Sequence, residues 1–192
     1  MRNVCLSLPT NRECKETIKL LAYEAEYANK NFDINIKLLI LDTSPKEIAQ
    51  DNQSVLQRLK NELSIEIIYL NENEQDKFIS DIVKNSGVEK PEKAIYLMSP
   101  KGVSYGACTN RAFLISSAMG CDILLRRDSD SRYQKLSNNY IFPIENELIA
   151  LGIKAKDIIG IKGEHSQYCL AVINLTTSFE KRESVSQTML II

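Results

Sequence analysis

Two aspartates separated by one residue follow an apolar stretch in the second half of the chain. Asp128 and Asp130 come directly after Asp122–Arg126, whose composition is typical of a β-strand. Residues i and i+2 of an extended chain point to the same side, so both carboxylates can face one cation. Carboxylate oxygens suit Mn²⁺ or Mg²⁺, which commonly take one or two carboxylates together with substrate phosphates. The spacing predicts a metal site against a phosphate-bearing ligand, while a plain turn built from Asp and Ser stays open.

Strand-like and helical patterns alternate before these aspartates. A helical periodicity follows each of the first three predicted strands, and a helix closed by Gly120 precedes the last one. The predicted strands are Val4–Leu8 (ended by Pro9), Ile34–Leu41, Ile65–Leu70, Ala94–Met98 and Asp122–Arg126. Further along, the patterns predict a helix at Pro143–Leu151 and strands at Ile158–Lys162 and Cys169–Leu175, before the apolar end Met189–Ile192. The alternation predicts an α/β fold with a mostly parallel sheet flanked by helices and a small mixed C-terminal part.

Capping patterns indicate where two of the helices begin. Thr10 and Glu13 form the T-x-x-E capping box. Ser44 and Pro45 are predicted as the N-cap and the first helical residue of the next helix. Asp42 ends the strand before that helix, where a structural turn and a ligand contact are both open.

Composition limits the function classes. The 192 residues predict a single domain, 1–192. With 24 basic and 25 acidic residues the net charge is −1, so nucleic acid, which selects a basic face, is not the expected partner. Five cysteines without CxxC spacing argue against a zinc knuckle and a disulfide framework. We see no signal peptide, and every apolar run is shorter than the ~18 residues of a membrane span, so a cytoplasmic protein is expected.

Ligands of parallel α/β sheets bind beyond the carboxyl ends of the strands. In this sequence that rule selects three segments as the rim of a site: Pro9–Arg12, Asp42–Ser44 and Arg127–Ser131.

An ordered set of motifs leads into the aspartate pair. Gly102 and the run Gly106–Arg111 come first, then the helix end Ala118–Asp122, the strand Ile123–Leu125 and Asp128–Asp130. This order resembles that of the family-two glycosyltransferases of the GT-A fold, and the resemblance covers residues 3–131. It implies a GT-A-like, Rossmann-type domain that transfers sugar from a UDP- or GDP-linked donor to an acceptor, with Mn²⁺ or Mg²⁺ as cofactor. Residues 1–131 would form the nucleotide-sugar and metal half, and 132–192 a short acceptor-side half; an oligomer is possible.

The resemblance also implies roles for single residues. Asp128 and Asp130 bind the metal, and a late histidine, here His165, is a possible third ligand. The implied donor contacts are Pro9, Thr10, Asn11 and Arg12 along the nucleotide, Asp42 at the base or ribose, Asn110 and Arg111 at the diphosphate or sugar, and Arg127 and Ser129 beside the metal. Arg126 and Arg127 replace the apolar residues usual there, which makes the local site more cationic. Arg127 either neutralises phosphate or pairs with one of the aspartates. Glu164 is the candidate general base.

Two other functions fit the same residues. A GT-A-like protein without turnover would bind nucleotide sugars only, and no acceptor-side acidic motif is evident. A HAD-type phosphatase also places D-x-D and a hydroxyl residue after a strand, as Asp128–Ser131 does, but its nucleophile normally follows the first strand.

Overall fold

The computed structural model of the chain describes residues 1–100, 102, 104–136, 138–153 and 188–191. They fall into two compact units, one made of Met1–Tyr133 with the strand near the C-terminus, the other beginning at Gln134. In chain order the elements are β1 Arg2–Thr10, α1 Lys15–Asn31, β2 Ile34–Asp42, α2 Lys46–Glu62, β3 Glu66–Asn71, α3 Glu72–Asn85, α4 Pro91–Met98, α5 Tyr105–Ala118, β4 Ile123–Arg126, β5 Lys135–Leu136, β6 Asn139–Tyr140, α6 Pro143–Ala150 and β7 Thr188–Ile191.

The first unit is built on a five-stranded sheet in the order β3-β2-β1-β4-β7. The first four strands are parallel, and β7 runs antiparallel to β4. The predicted α/β fold with a mostly parallel, helix-flanked sheet is therefore confirmed. The chain adds strands on one side of β1 and then crosses to add β4 on the other side. Because such crossovers are right-handed, α1 and α2 cover one face, and the helices between β3 and β4 cover the other.

The core lies on both faces of the central strands. Cys5, Leu39 and Leu124 pack against Ala112 and Ile115 of α5. The other face of β1 buries Val4, Leu6, Leu8 and Thr10. Helix α1 contributes a buried apolar stripe there, Ile18, Leu21, Ala22, Ala25 and Ala28. Strands buried on both faces explain the near-continuous apolar runs of the sequence.

The first strand runs through Pro9 rather than ending there, contrary to the sequence prediction. The backbone oxygen of Ser7 accepts a hydrogen bond from Arg127 N, on the side of β4. The backbone oxygen of Thr10 accepts one from Thr43 N, on the side of β2. The backbone N of Pro9 points to the same side of β1 as that of Ser7, the side toward β4. The pairing of β1 with β4 ends at Ser7. Its missing N–H therefore removes no bond from the sheet.

Neither predicted helix cap is present. Helix α1 has Cys14 as its N-cap, without a side-chain cap, so the capping box of Thr10 and Glu13 is wrong. Cys14 N donates instead to Asn52 Oδ1 on α2 at 2.9 Å, a partner no local motif reveals. Helix α2 begins one residue later than predicted, with Pro45 as its N-cap, because Ser44 N is held by Asp42 Oδ1 at 2.8 Å.

The predicted strand Ala94–Met98 is a helix, α4, which begins at Pro91. Proline is favoured in the first helical turn, and none of this helix is buried, so the short apolar run did not mark a core strand. Gly106, the first residue of the run Gly106–Arg111, lies in the first turn of α5.

Other elements agree with their predictions. The helices α5 and α6 are followed by Gly120 and Gly152, both with positive φ. The apolar end of the chain, to which the sequence pattern gave no single role, contributes the strand β7. The predicted strands Ile158–Lys162 and Cys169–Leu175 lie outside the described residues. Within the described part of the chain, no helix is both long and apolar enough to cross a membrane.

Strand β2 contributes buried apolar side chains to both faces of the sheet. Leu39 is 0% exposed, and we expect Leu39→Ala to lower the free energy of unfolding by about 2–5 kcal/mol through lost burial and a cavity. Denaturant titration measures this, with the part-exposed Leu114→Ala on α5 as the control. Equal losses in the two variants would contradict the placement of the core.

Candidate functional site

The strands β1, β2 and β4 end at one edge of the sheet, in Thr10, Asp42 and Arg126. The order β3-β2-β1-β4 reverses between β1 and β4. A sheet of this order opens a crevice beyond the strands' carboxyl ends at the point of reversal. The residues after β1 and β4 therefore flank the place where a ligand of this fold is expected.

The aspartate pair lies just past β4, at that reversal. The side chain of Asp128 is 24% exposed, and Asp130 is exposed. Ser131 N donates to Asp128 O at 3.0 Å, so the pair is carried on a tight turn. The turn that the sequence left open is thus present, and it carries one part-exposed and one exposed carboxylate.

Arg126 provides the charge beside the first aspartate. Its Nη2 lies 2.8 Å from Asp128 Oδ1. Its buried Nε has no hydrogen-bond partner within the described part of the chain. The pairing with an aspartate that the sequence left open for Arg127 is made by Arg126.

Arg127 points to the opposite face, into the protein. Its Nη2 and Nε donate to Glu24 Oε1 and Oε2 on α1, at 2.8 Å and 3.2 Å, and the two side chains are 1% and 0% exposed. Tyr133 donates its phenol to the same Glu24 carboxylate. Burial and the charge of Glu24 raise the pKa of Tyr133, so the phenol stays protonated and donates. This geometry favours a structural role for Arg127 over the phosphate contact.

A second polar network surrounds Asp42, which is almost fully buried. Asn52 Nδ2 and the Tyr69 hydroxyl donate to Asp42 Oδ2 at 2.8 Å and 3.0 Å, and Ser44 N donates to Oδ1. Both carboxylate oxygens are therefore engaged within the protein. Of the two roles left open by the sequence, the geometry favours the structural turn over the ribose or base contact.

The segment after β1 is tied to this network. Asn52 Nδ2 also donates to Arg12 O at 3.0 Å, and the buried Thr10 hydroxyl donates to the same oxygen. The side chain of Arg12 is exposed, and Asn11 is part-exposed. Cys14 donates to Thr10 Oγ1 at 3.3 Å, and burial raises the pKa of its thiol, which argues against a reactive nucleophile. The backbone is fixed while two polar side chains face out.

Two predicted residues lie in the second turn of α5. Asn110 is exposed. Arg111 is buried and reaches Asp76 of α3, with Nη1 3.7 Å from Oδ1, and Cys108, with Nη2 3.4 Å from Sγ. The structure thus links Arg111 to α3, and not to the aspartate pair, by the contacts observed.

Among the described residues no group of three or more His, Cys, Asp or Glu side chains is arranged to hold a metal. The candidate third ligand His165 and the candidate base Glu164 lie outside the described residues. At the described edge of the sheet, Asp128 and Asp130 have carboxylate oxygens that could bind a metal.

Sequence reasoning missed the residues that fix this edge. Glu24 follows Leu21 by three and precedes Ala28 by four, so a charge on the buried stripe of α1 was a readable signal. Asn52 sits on the inner side of α2 in the same way, close in sequence to the buried Leu56. Nothing local marks Tyr69 as a partner of Asp42, since the two meet only through the pairing of β2 with β3.

Residues 2–171 match the model of a family of unknown function, DUF6271, and the chain belongs to that family. No curated protein matches it. Two similar solved structures are mouse xyloside xylosyltransferase 1 in its apo form and core-mannan synthase A from Aspergillus fumigatus in a Mn/GDP form. The first is 15% identical over 70% of this chain and 45% of that one, with a TM-score of 0.30. The second is 11% identical over 78% and 39%, with a TM-score of 0.27. The chain therefore matches less than half the length of either protein.

The Asp42 network predicts a pH-dependent contribution from Tyr69. Burial and the Asp42 charge raise the pKa of Tyr69 above its usual value of about 10. The hydrogen bond therefore stabilises the fold fully below pH ~10, and this contribution is lost as the pH rises further. We expect Tyr69→Phe to lower the free energy of unfolding by about 1–2 kcal/mol at pH 7, with a smaller difference from wild type above pH ~10. Urea titrations across this range check it, with the exposed Tyr96→Phe as control; a loss that did not vary with pH would contradict the assignment.

Proposed function

We propose that this chain is a metal-dependent glycosyltransferase, which transfers a sugar from a nucleotide-sugar donor to an acceptor. The observation that carries the proposal is the position of Asp128 and Asp130, partly open to solvent, at the reversal of strand order between β1 and β4. The resemblance of residues 3–131 to GT-A glycosyltransferases supports the same function. A nucleotide-sugar diphosphate is the ligand that uses both a cation site and the adjoining edge of β1.

The carboxylates present fit a hard divalent cation. Mn²⁺ or Mg²⁺ commonly takes one or two carboxylates and fills its remaining positions with phosphate oxygens and water, so two aspartates suffice when the donor is bound. Bound there, the metal would neutralise the diphosphate as it leaves the sugar. Asp128 and Asp130 would hold the ion, and both lie on the turn closed by the hydrogen bond from Ser131 N to Asp128 O.

The donor's nucleotide is placed along the segment after β1. Asn11 and Arg12 present polar side chains there, on a backbone held by Asn52 and Thr10. Asp42 keeps this edge in shape through its buried network. Pro9, Ser129 and Asn110 remain proposed donor contacts.

Arg126 supplies a positive charge beside Asp128, a contact that the sequence did not assign. In the free protein it neutralises Asp128, and its buried Nε is an unused donor among the described contacts. With an ion held at Asp128 and Asp130, the guanidinium of Arg126 would be available to bind the phosphates of the donor. Arginine is well suited to this because its donors match phosphate geometry.

In the transfer itself, an acceptor oxygen attacks the anomeric carbon, and the bond from that carbon to the donor phosphate breaks. The nucleoside diphosphate leaves with the bonding electrons, and the acceptor's proton passes to a base, for which Glu164 is the candidate. Incubation with UDP-, GDP- and CDP-sugars plus Mn²⁺, followed by assay for released nucleoside diphosphate, distinguishes transfer or hydrolysis from binding alone. Binding without release would favour a nucleotide-sugar binding protein, whereas inhibition by fluoroberyllate with no nucleotide binding would favour a phosphatase.

The aspartate pair predicts the metal dependence of nucleotide binding. Asp128→Asn and Asp130→Asn keep the size of each side chain but remove its charge, and we expect each to weaken Mn²⁺ binding about 10-fold or more, since a hard cation prefers charged oxygen ligands. The rise in melting temperature caused by nucleoside diphosphate with Mn²⁺ checks this.

The matched control is Asp122→Asn, at the amino end of the same strand, where the carboxylate accepts from Asn3 N at 3.0 Å. This variant should keep the full metal-dependent shift. A wild-type rise in melting temperature in the Asp128 and Asp130 variants would contradict the assignment of the metal site.

Arg126 predicts opposite effects on the metal and on the nucleotide. In Arg126→Met, Asp128 is freed from its ion pair, so Mn²⁺ alone should bind several-fold more tightly. The gain in Mn²⁺ affinity on adding nucleoside diphosphate should fall, because a phosphate partner is lost. Calorimetric titration with and without nucleotide measures both; unchanged coupling between the two ligands would rule out the phosphate role.

A further inference from the structure

The segment that carries the aspartates is held at both ends by one carboxylate. Arg127 lies directly before Asp128, and Tyr133 lies three residues after Asp130. Both donate to Glu24 of α1, Arg127 through two nitrogens and Tyr133 through its phenol. The loop 128–132 thus begins and ends on the same buried group.

The same helix contacts the middle of the loop. Thr17 donates its hydroxyl to Ser129 O at 3.2 Å. Thr17 and Glu24 are seven residues apart, which is close to two helical turns, so they project from one side of α1. Ser129 is the residue between the two aspartates, and its backbone is therefore fixed from the same helix that fixes the loop ends.

The start of the loop is fixed by the sheet as well. Arg127 N donates to Ser7 O at 2.8 Å, which extends the pairing of β4 with β1 by one residue. A buried ion pair adds little stability compared with apolar side chains of the same size, but it demands one geometry. Such a contact is suited to holding a short loop in register.

We propose that Glu24 is a positioning residue, which sets the separation and direction of Asp128 and Asp130 for the metal–diphosphate ligand. The inference rests on the proposed function. Glu24 is buried on the far side of Arg127 and acts through Arg127 and Tyr133. Outer groups that orient metal ligands typically change metal affinity about 10- to 100-fold when removed, and Glu24 would orient them through the residues on either side.

The test compares two buried carboxylates of one helix. Glu24→Gln removes the charge that pairs with Arg127. Glu26→Gln is the matched control, because Glu26 is also buried but accepts from Ser64 N at 2.9 Å and pairs with Lys30, near the amino end of β3. The affinity of the full chain for Mn²⁺ is measured with GDP and with UDP, at a temperature at which circular dichroism shows each variant folded.

We expect both variants to melt earlier than wild type, but only Glu24→Gln to bind Mn²⁺ with nucleotide about 10-fold or more weakly. Equal Mn²⁺ affinities in Glu24→Gln and wild type would overturn the positioning role and leave the proposed function standing. Absence of Mn²⁺ binding in wild type itself would overturn both.

Tyr133→Phe keeps the test decisive if Glu24→Gln does not fold. It removes one hydroxyl and leaves the ion pair in place, so a several-fold loss of Mn²⁺ affinity is expected. In the metal-free protein, amide hydrogen exchange in residues 128–132 should also quicken in Tyr133→Phe and not in Glu26→Gln. Unaltered affinity and exchange in Tyr133→Phe would refute the inference.

Discussion

The carboxylate of Glu24 accepts hydrogen bonds from the residues on both sides of the aspartate pair, inside a region closed to solvent. This contact requires α1 to lie against the end of β4, although the two elements are nearly a hundred residues apart in the sequence. The strand order meets that requirement, because β4 pairs with β1, the strand that leads into α1. The pairing of β4 with β1 brings Arg127 to Glu24, and the buried ion pair in turn holds the end of β4 against α1. Both contacts fix the ends of the loop between Arg127 and Tyr133.

Asp42 and the aspartate pair differ in how far their carboxylate oxygens remain available to a ligand. Both oxygens of Asp42 are engaged by Asn52, Tyr69 and the backbone, which makes it part of the scaffold. Asp128 shares one oxygen with a part-buried arginine, and Asp130 is exposed. A fully satisfied polar network gives rigidity, whereas a partly used carboxylate gives a binding position. The end of β2 therefore supports the fold, whereas the segment after β4 has carboxylates available to bind a ligand.

Periodicity was enough to predict the α/β class, the strands β2, β3 and β4 and the helix α5, since both faces of the sheet are apolar. It failed where a distant partner decides the local structure. The capping box of Thr10 is absent, and Cys14 N bonds to Asn52 instead. The run Ala94–Met98 was misassigned for a local reason, since Pro91 starts a short, unburied helix there. The aspartate pair was found because its ligand chemistry is local in sequence. Tyr69 was missed because only the pairing of β2 with β3 brings it to Asp42. The charge of Glu24 on the buried stripe of α1 was visible in the sequence, but its partners Arg127 and Tyr133 were not.

The central claim is that Asp128 and Asp130 together bind a cation that also binds the phosphates of a nucleotide. Anomalous diffraction at the manganese edge, from crystals of the chain soaked with Mn²⁺ and a nucleoside diphosphate, tests it most directly. We predict one strong peak within coordination distance of both carboxylates, with diphosphate density beside it at the ends of β1 and β4. A peak that lies away from these aspartates, or nucleotide density without manganese, would contradict it.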